Sequence, residues 1–183
     1  MKFEEPESEV SKYVDDETLI RAVKTTVMML EEAIRNFGLD DGSPSVITSF
    51  CLTLDKPQIL HESKVVIPDE IYGDREFFYK LGRVLVKQGS VPMCTTVFMP
   101  IIEEDGAYRF VVVSRNVNGA TRSASVYTER TYEGTWETRF VAYDDEESDD
   151  DVEVQASIDE MFEGARDQRA EIDRERILKF SVN

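Results

Sequence analysis

Three dipeptides, Asp105-Gly106, Asn118-Gly119 and Glu133-Gly134, cut the stretch from residue 91 to 143 into four segments, 93–103, 107–117, 120–132 and 135–143. Each segment is strand-like in composition. Asp-Gly and Asn-Gly between apolar runs are strong signals for two-residue hairpin turns, because both turn positions must accept positive φ. The spacing therefore predicts a four-stranded antiparallel meander.

Two-residue turns also fix register. They set Arg115 opposite Arg122, Val113 opposite Ala124, Phe110 opposite Tyr127, Thr96 opposite Arg115 and Phe98 opposite Val113. The third turn sets Arg130 opposite Glu137 and Tyr127 opposite Phe140, an ion pair and an aromatic pair of the kinds that stabilise neighbouring strands. One face then carries Phe98, Ile102, Val111, Val113, Ala124, Val126 and Val141. The other carries Val97, Met99, Ile101, Phe110, Val112, Tyr127, Trp136 and Phe140. Both faces are apolar at the centre, so the sheet is expected to be covered on both sides.

The covering elements are legible on either side of this block. Over residues 16–37, Ile20, Val23, Val27, Leu30, Ile34 and Phe37 recur at spacings of three and four, with Asp15 or Asp16 as cap and Gly38 as stop. The same seam suits a contact between two subunits, although a short seam without sustained charge pairing favours packing on the chain's own sheet. Residues 45–54 read as a strand, and a looser extended segment follows through Val65, Val66 and Ile67. Asp74 is placed to cap a helix over 75–88 that buries Phe77, Phe78, Leu81, Val84 and Leu85. Gly82 inside that helix is expected to let it approach the sheet closely. Ser157 and Glu160 have the spacing of a capping box, which starts a C-terminal helix whose stretch from Arg166 to Arg176 is mostly charged and solvent-facing.

The fold class is α+β: a four-stranded meander extended by at least one earlier strand, flanked by two main helices and ending in a charged helix. At 183 residues and 21.0 kDa the chain suits one domain. We divide it into an acidic arm (1–15), the α+β domain (16–143), an acidic linker or loop (144–151) and a C-terminal helix with its tail (152–183).

Charge narrows the functional classes. The formal net charge is −17, but residues 18–143 carry only −2, while residues 1–17 carry −5 and residues 144–151 carry −7. A general nucleic-acid binder draws its affinity from neutralising phosphates, so nucleic acid is not an expected partner. No apolar run reaches the roughly 18 residues needed to span a bilayer, and the first residues lack the pattern of a signal peptide. A soluble cytoplasmic protein with no membrane partner is the expectation.

Few residues point to chemistry. Arg115 and Arg122, set face to face, are destabilising unless something anionic joins them. They could hold a phosphate, carboxylate or acidic side chain beside Thr96, or be balanced from within by Asp145 if the fourth strand runs past Tyr143. His61 is the sole histidine and lies in no nucleophile motif. Cys51 and Cys94 fall in apolar segments and lack metal-ligand spacing. The run from Asp144 to Asp151 lacks the glycine and terminal glutamate of a calcium loop. No metal or cofactor is expected. The sequence favours a protein that binds another protein or itself, a homo-oligomer, and leaves open an enzyme or sensor for a small anion at Arg115, Arg122 and Thr96.

Overall fold

The computed structural model describes residues 14–67, 74–144 and 149–181. They form an α+β fold with the order α1 (Asp16–Phe37), β1 (Ser45–Thr53), β2 (Leu60–Ile67), α2 (Arg75–Lys87), β3 (Ser90–Ile102), β4 (Tyr108–Asn116), β5 (Thr121–Arg130), β6 (Trp136–Tyr143) and α3 (Asp149–Ser181). All six strands belong to one antiparallel sheet in the order β2-β1-β3-β4-β5-β6. The meander is therefore extended by a hairpin, β1 and β2, that joins it through β1 across the crossover made by α2.

All three meander turns are one residue longer than a two-residue loop. Asn116 N donates to Ala120 O (3.1 Å) while Gly119 N donates to Asn116 O (3.0 Å), and the same pair of bonds recurs at Glu103/Ala107/Gly106 and Thr131/Thr135/Gly134. Only the glycine of each loop takes positive φ, at 83°, 87° and 84°, and Asp144 is the sole non-glycine with positive φ among the described residues. Each loop is thus a type I turn followed by a left-handed glycine, which leaves Asp105, Asn118 and Glu133 in ordinary backbone.

The extra residue moves every register by one. Arg115 pairs with Thr121 and Ser114 with Arg122; Val112, not Val113, stands opposite both Ala124 and Phe98, and Phe110 pairs with Val126. A one-residue slip sends a whole strand's side chains to the other face. Val111 and Val113 accordingly join Val97 and Met99 on one face, while Phe110 and Val112 join Phe98, Ala124 and Val126 on the other. Arg130 pairs with Trp136 instead of Glu137, and a register shift between Tyr127 and Thr128 then brings Tyr127 opposite Phe140 as expected, their rings stacked 4.3 Å apart.

Below the sheet lie α2 and α3. Arg75 reaches Glu153 (3.5 Å), Tyr79 Oη donates to Asp167 (2.7 Å) and Arg83 reaches Glu171 (2.7 Å), so the two helices run parallel. Their approach depends on two glycines facing each other's backbone. A Cβ on Gly82 would stand 1.9 Å from Met161 O, and one on Gly164 would stand 2.1 Å from Tyr79 O. The close approach expected of Gly82 is therefore toward α3, not the sheet. Phe78 and Leu85 of α2 and Val154, Ile158, Met161 and Phe162 of α3 pack on Ile47, Ile67, Val97, Met99, Val111 and Val113. Val84 is 45% exposed, since α2 turns that side to solvent.

Above the sheet, among the described residues, α1 is the one covering helix. Asp15 Oδ1 accepts from Thr18 N (2.8 Å) as its cap, and Gly38 N donates to Ile34 O (2.9 Å) at its end. Its buried stripe is Leu19, Val23, Val27, Leu30 and Ile34, with Leu39 beyond, while Phe37 is 86% exposed. This stripe sits on Phe110, Val112, Ala124 and Val126.

α3 begins at Asp149, eight residues ahead of Ser157, which is buried inside the helix and does not cap it. The acidic run is thus not all linker: Asp150 accepts from Arg109 Nη2 at 2.6 Å. Carboxylates suit the first turn of a helix because its unpaired N–H groups carry partial positive charge.

Candidate functional site

The residues singled out for an anion site are not brought together. Arg115 lies on the face of Val111 and Val113, toward α3; Arg122 lies on the face of Ala124 and Val126, toward α1. Arg115 Nε and Nη2 grip Asp159 at 2.7 and 2.8 Å, and Nη1 donates to Gly119 O and Thr121 Oγ1. Arg122 grips Asp16 with the same fork at 2.8 and 2.7 Å and has Asp144 at 3.6 Å. Thr96 is buried and donates to Ser114 Oγ at 3.0 Å. The like-charge conflict disappears with the register that implied it, and each guanidinium is already paired, Arg115 with one carboxylate and Arg122 with two. Asp145, the expected internal balance, lies outside the described residues.

The arginines instead tie helices to the sheet. The Arg122 fork holds the Asp16 carboxyl below its ordinary pKa, and that pair fastens the first turn of α1 over β5. Beside it the buried Asn116 side chain donates to Val14 O and accepts from Asn118 N and Ala120 N, both at 3.0 Å. One side chain thus shapes the β4–β5 turn and anchors the entry to α1.

Of the thiols, Cys51 stands directly opposite His61 in the β1–β2 register, while Cys94 lies on β3. Burial pushes the Cys51 thiol up to about 12 and raises Cys94 as well, the latter opposed by a contact with Ser114. A thiol nucleophile needs the opposite shift. His61 does meet a serine: its Nε2 lies 2.8 Å from Ser90 Oγ, with Nδ1 3.4 Å from the Ile59 carbonyl. The two residues are 29 apart in sequence and stand across β1, so no local motif marks them. Among the described residues, no group of three or more histidine, cysteine or carboxylate side chains could hold a metal, and no helix is long and apolar enough to cross a membrane.

One of the concave features among the described residues comes from incomplete cover. α1 packs over β3–β6, so among the described residues no helix packs on the upper face of β1 and β2. A groove of about 460 Å³ opens there. Thr18, Arg21, Ala22, Thr25, Thr26 and Met29 of α1 form its wall, and Thr48, Phe50, Leu60, Glu62, Lys64 and Thr96 its floor, with Asp15 and Glu17 at one end. Met29 is 56% exposed. The lining mixes Phe50, Leu60 and Met29 with hydroxyls and charges of both signs, and its charges pair with one another, Arg21 with Glu17 and Lys64 with Glu62.

Of the residues chosen from sequence, only Thr96 borders this groove. The other lining residues carry only a weak signal in the sequence: Thr25, Thr26 and Met29 fall off the apolar stripe of α1, and Leu60, Glu62 and Lys64 alternate along β2. Compared with protein-family models, with curated proteins and with solved structures, the chain has no match.

Proposed function

We propose that this protein works by binding another polypeptide and not by catalysis, and that the groove between α1 and the β1–β2 hairpin is the surface it uses. The observation that carries this reading is the half-covered upper face, where Phe50, Leu60 and Met29 stand beside an edge strand. The buried thiols with raised pKa and the carboxylate-paired arginines support it, because neither set is poised as a nucleophile or as a vacant anion site. The chain's −17 charge weighs against nucleic acid as the occupant.

The test is parallel affinity purification of the intact protein and of a Thr25→Trp/Met29→Glu variant, both altered positions being exposed on α1. A protein that copurifies with the first and not the second, at equal thermal stability, supports the groove. Retention of every partner by the variant removes it.

A second reading rests on the 2.8 Å contact between His61 and Ser90, which has the geometry of a base beside a hydroxyl nucleophile. Covalent labelling of Ser90 by a fluorophosphonate, lost in a His61→Gln variant, would favour it over the binding reading. No labelling would leave the pair as a structural hydrogen bond.

A further inference from the structure

The two ends of the sheet are built differently. At one end, the β5–β6 ladder breaks between Tyr127 and Thr128 and skips Arg139, the kind of bulge that spoils an edge as a template for further strands. At the other end, β2 pairs with β1 through eight consecutive residues with no break, and no other strand among the described residues pairs with its outer side. Thr53 N donates to Ile59 O, so odd-numbered residues of β2 direct their backbone groups to β1. Leu60, Glu62, Lys64 and Val66 then direct theirs outward, since backbone groups alternate along an antiparallel strand.

We propose that β2 pairs antiparallel with β2 of a second copy of this chain, about a twofold axis through Ser63. That register sets Glu62 against Lys64 of the other copy, Lys64 against its Glu62, and Leu60 against its Val66, with outward backbone groups facing each other throughout. A contact about a twofold axis must be self-complementary, and this one is. The neighbouring registers are not: centring on Lys64 opposes two lysines, and centring on Glu62 opposes two glutamates, both destabilising in directly facing positions. The chosen register also covers Val66, which is 59% exposed in the single chain. Glu62 and Lys64 line the groove floor, so each groove continues across the axis onto the second copy's β2, and the open side of the site is closed by the partner strand. The inference goes beyond the groove reading and does not depend on what the groove holds.

The full chain should sediment at twice its 21.0 kDa mass at micromolar concentration and above. Glu62→Lys alone, or Lys64→Glu alone, puts like charges together at both symmetry-related positions and should raise the dissociation constant roughly tenfold or more. The double exchange, Glu62→Lys with Lys64→Glu, restores opposite charges and should restore the dimer. Ser63→Cys should form an intermolecular disulfide, because a non-hydrogen-bonded antiparallel pair places Cα atoms about 4.5 Å apart, within disulfide range. Glu62→Cys and Lys64→Cys, each tested alone, should not. A monomeric wild type, a dimer indifferent to the single charge reversals, or cross-linking at 62 or 64 in place of 63 overturns the proposal. Loss of the dimer leaves groove binding to be judged by the Met29 variant, so the two readings fail separately.

Discussion

The two faces of the sheet are covered by opposite means. Below, α2 and α3 meet backbone to backbone at Gly82 and Gly164 and act as one slab, wide enough to reach Ile47 and Ile67 in the outer hairpin. Above, α1 rests on one apolar stripe and is fixed at its start by polar ties, Asn116 to Val14 and Arg122 to Asp16. Two helices in close contact span a sheet that a single helix cannot. The groove marks where, among the described residues, the upper face has no second helix over β1 and β2.

That contrast breaks hardest at the glycines. Alanine at position 82 or 164 would gain about 1 kcal/mol of helix propensity if space allowed. At 1.9 and 2.1 Å from a carbonyl oxygen of the facing helix it does not, and backbone cannot swing aside as a side chain does. Each of Gly82→Ala and Gly164→Ala should cost a net ~3 kcal/mol, at the upper end for overpacked sites, read from the urea midpoint. An unchanged midpoint would mean that the helices are not in backbone contact.

On the upper face the largest single effect belongs to Asn116. Replacing it with alanine strands the Val14 carbonyl and the N–H groups of Asn118 and Ala120, and should cost about 1–3 kcal/mol. Faster hydrogen exchange in the first turn of α1, with α2 and α3 unchanged, would show that the loss is confined to one face.

The smallest effect is the most specific to pH. Arg122 lowers the pKa of Asp16 in the folded chain, so this pair stabilises the fold above the unfolded carboxylate value of about 3.9. The contribution disappears as pH falls through the lowered folded value. Asp16→Asn should flatten the acid limb of the stability profile and hardly change the alkaline limb. Because both side chains are partly exposed, added salt should shrink the difference.

The sequence is most informative where one residue fixes one local conformation. Asp15 and Gly38 bound α1, Asp74 caps α2 through Phe77 N, and the stripe of Val23, Val27, Leu30 and Ile34 marks the face that is buried. It misleads where one dipeptide serves two turns. Asn118-Gly119 fits a two-residue loop with both residues at positive φ and equally a three-residue loop with the glycine alone there. The choice is made by Asn116, whose carboxamide holds the longer form. Glu133 carried an available signal, because glutamate does not favour the left-handed region that a two-residue turn requires. Gly82 was legible as a close contact but not its partner, since Gly164 lies 82 residues away and shares no pattern with it. The groove was hidden for a similar reason: it depends on which strands α1 leaves uncovered, and neither α1 nor β2 records that alone.

The three turns also set the order in which the chain can assemble. β3 to β6 are joined by loops that close between neighbours in sequence, whereas β1 finds β3 across all of α2, with Val46 pairing to Phe98, and the Tyr79–Asp167 contact of α2 with α3 spans 88 residues. Short-range pairing forms first because it loses least chain entropy before contacts reward it. The meander is therefore expected to pair before the two helix layers dock on it. Substitutions at Gly106, Gly119 or Gly134 should slow refolding, while Gly82→Ala should act on the rate at which the finished molecule comes apart.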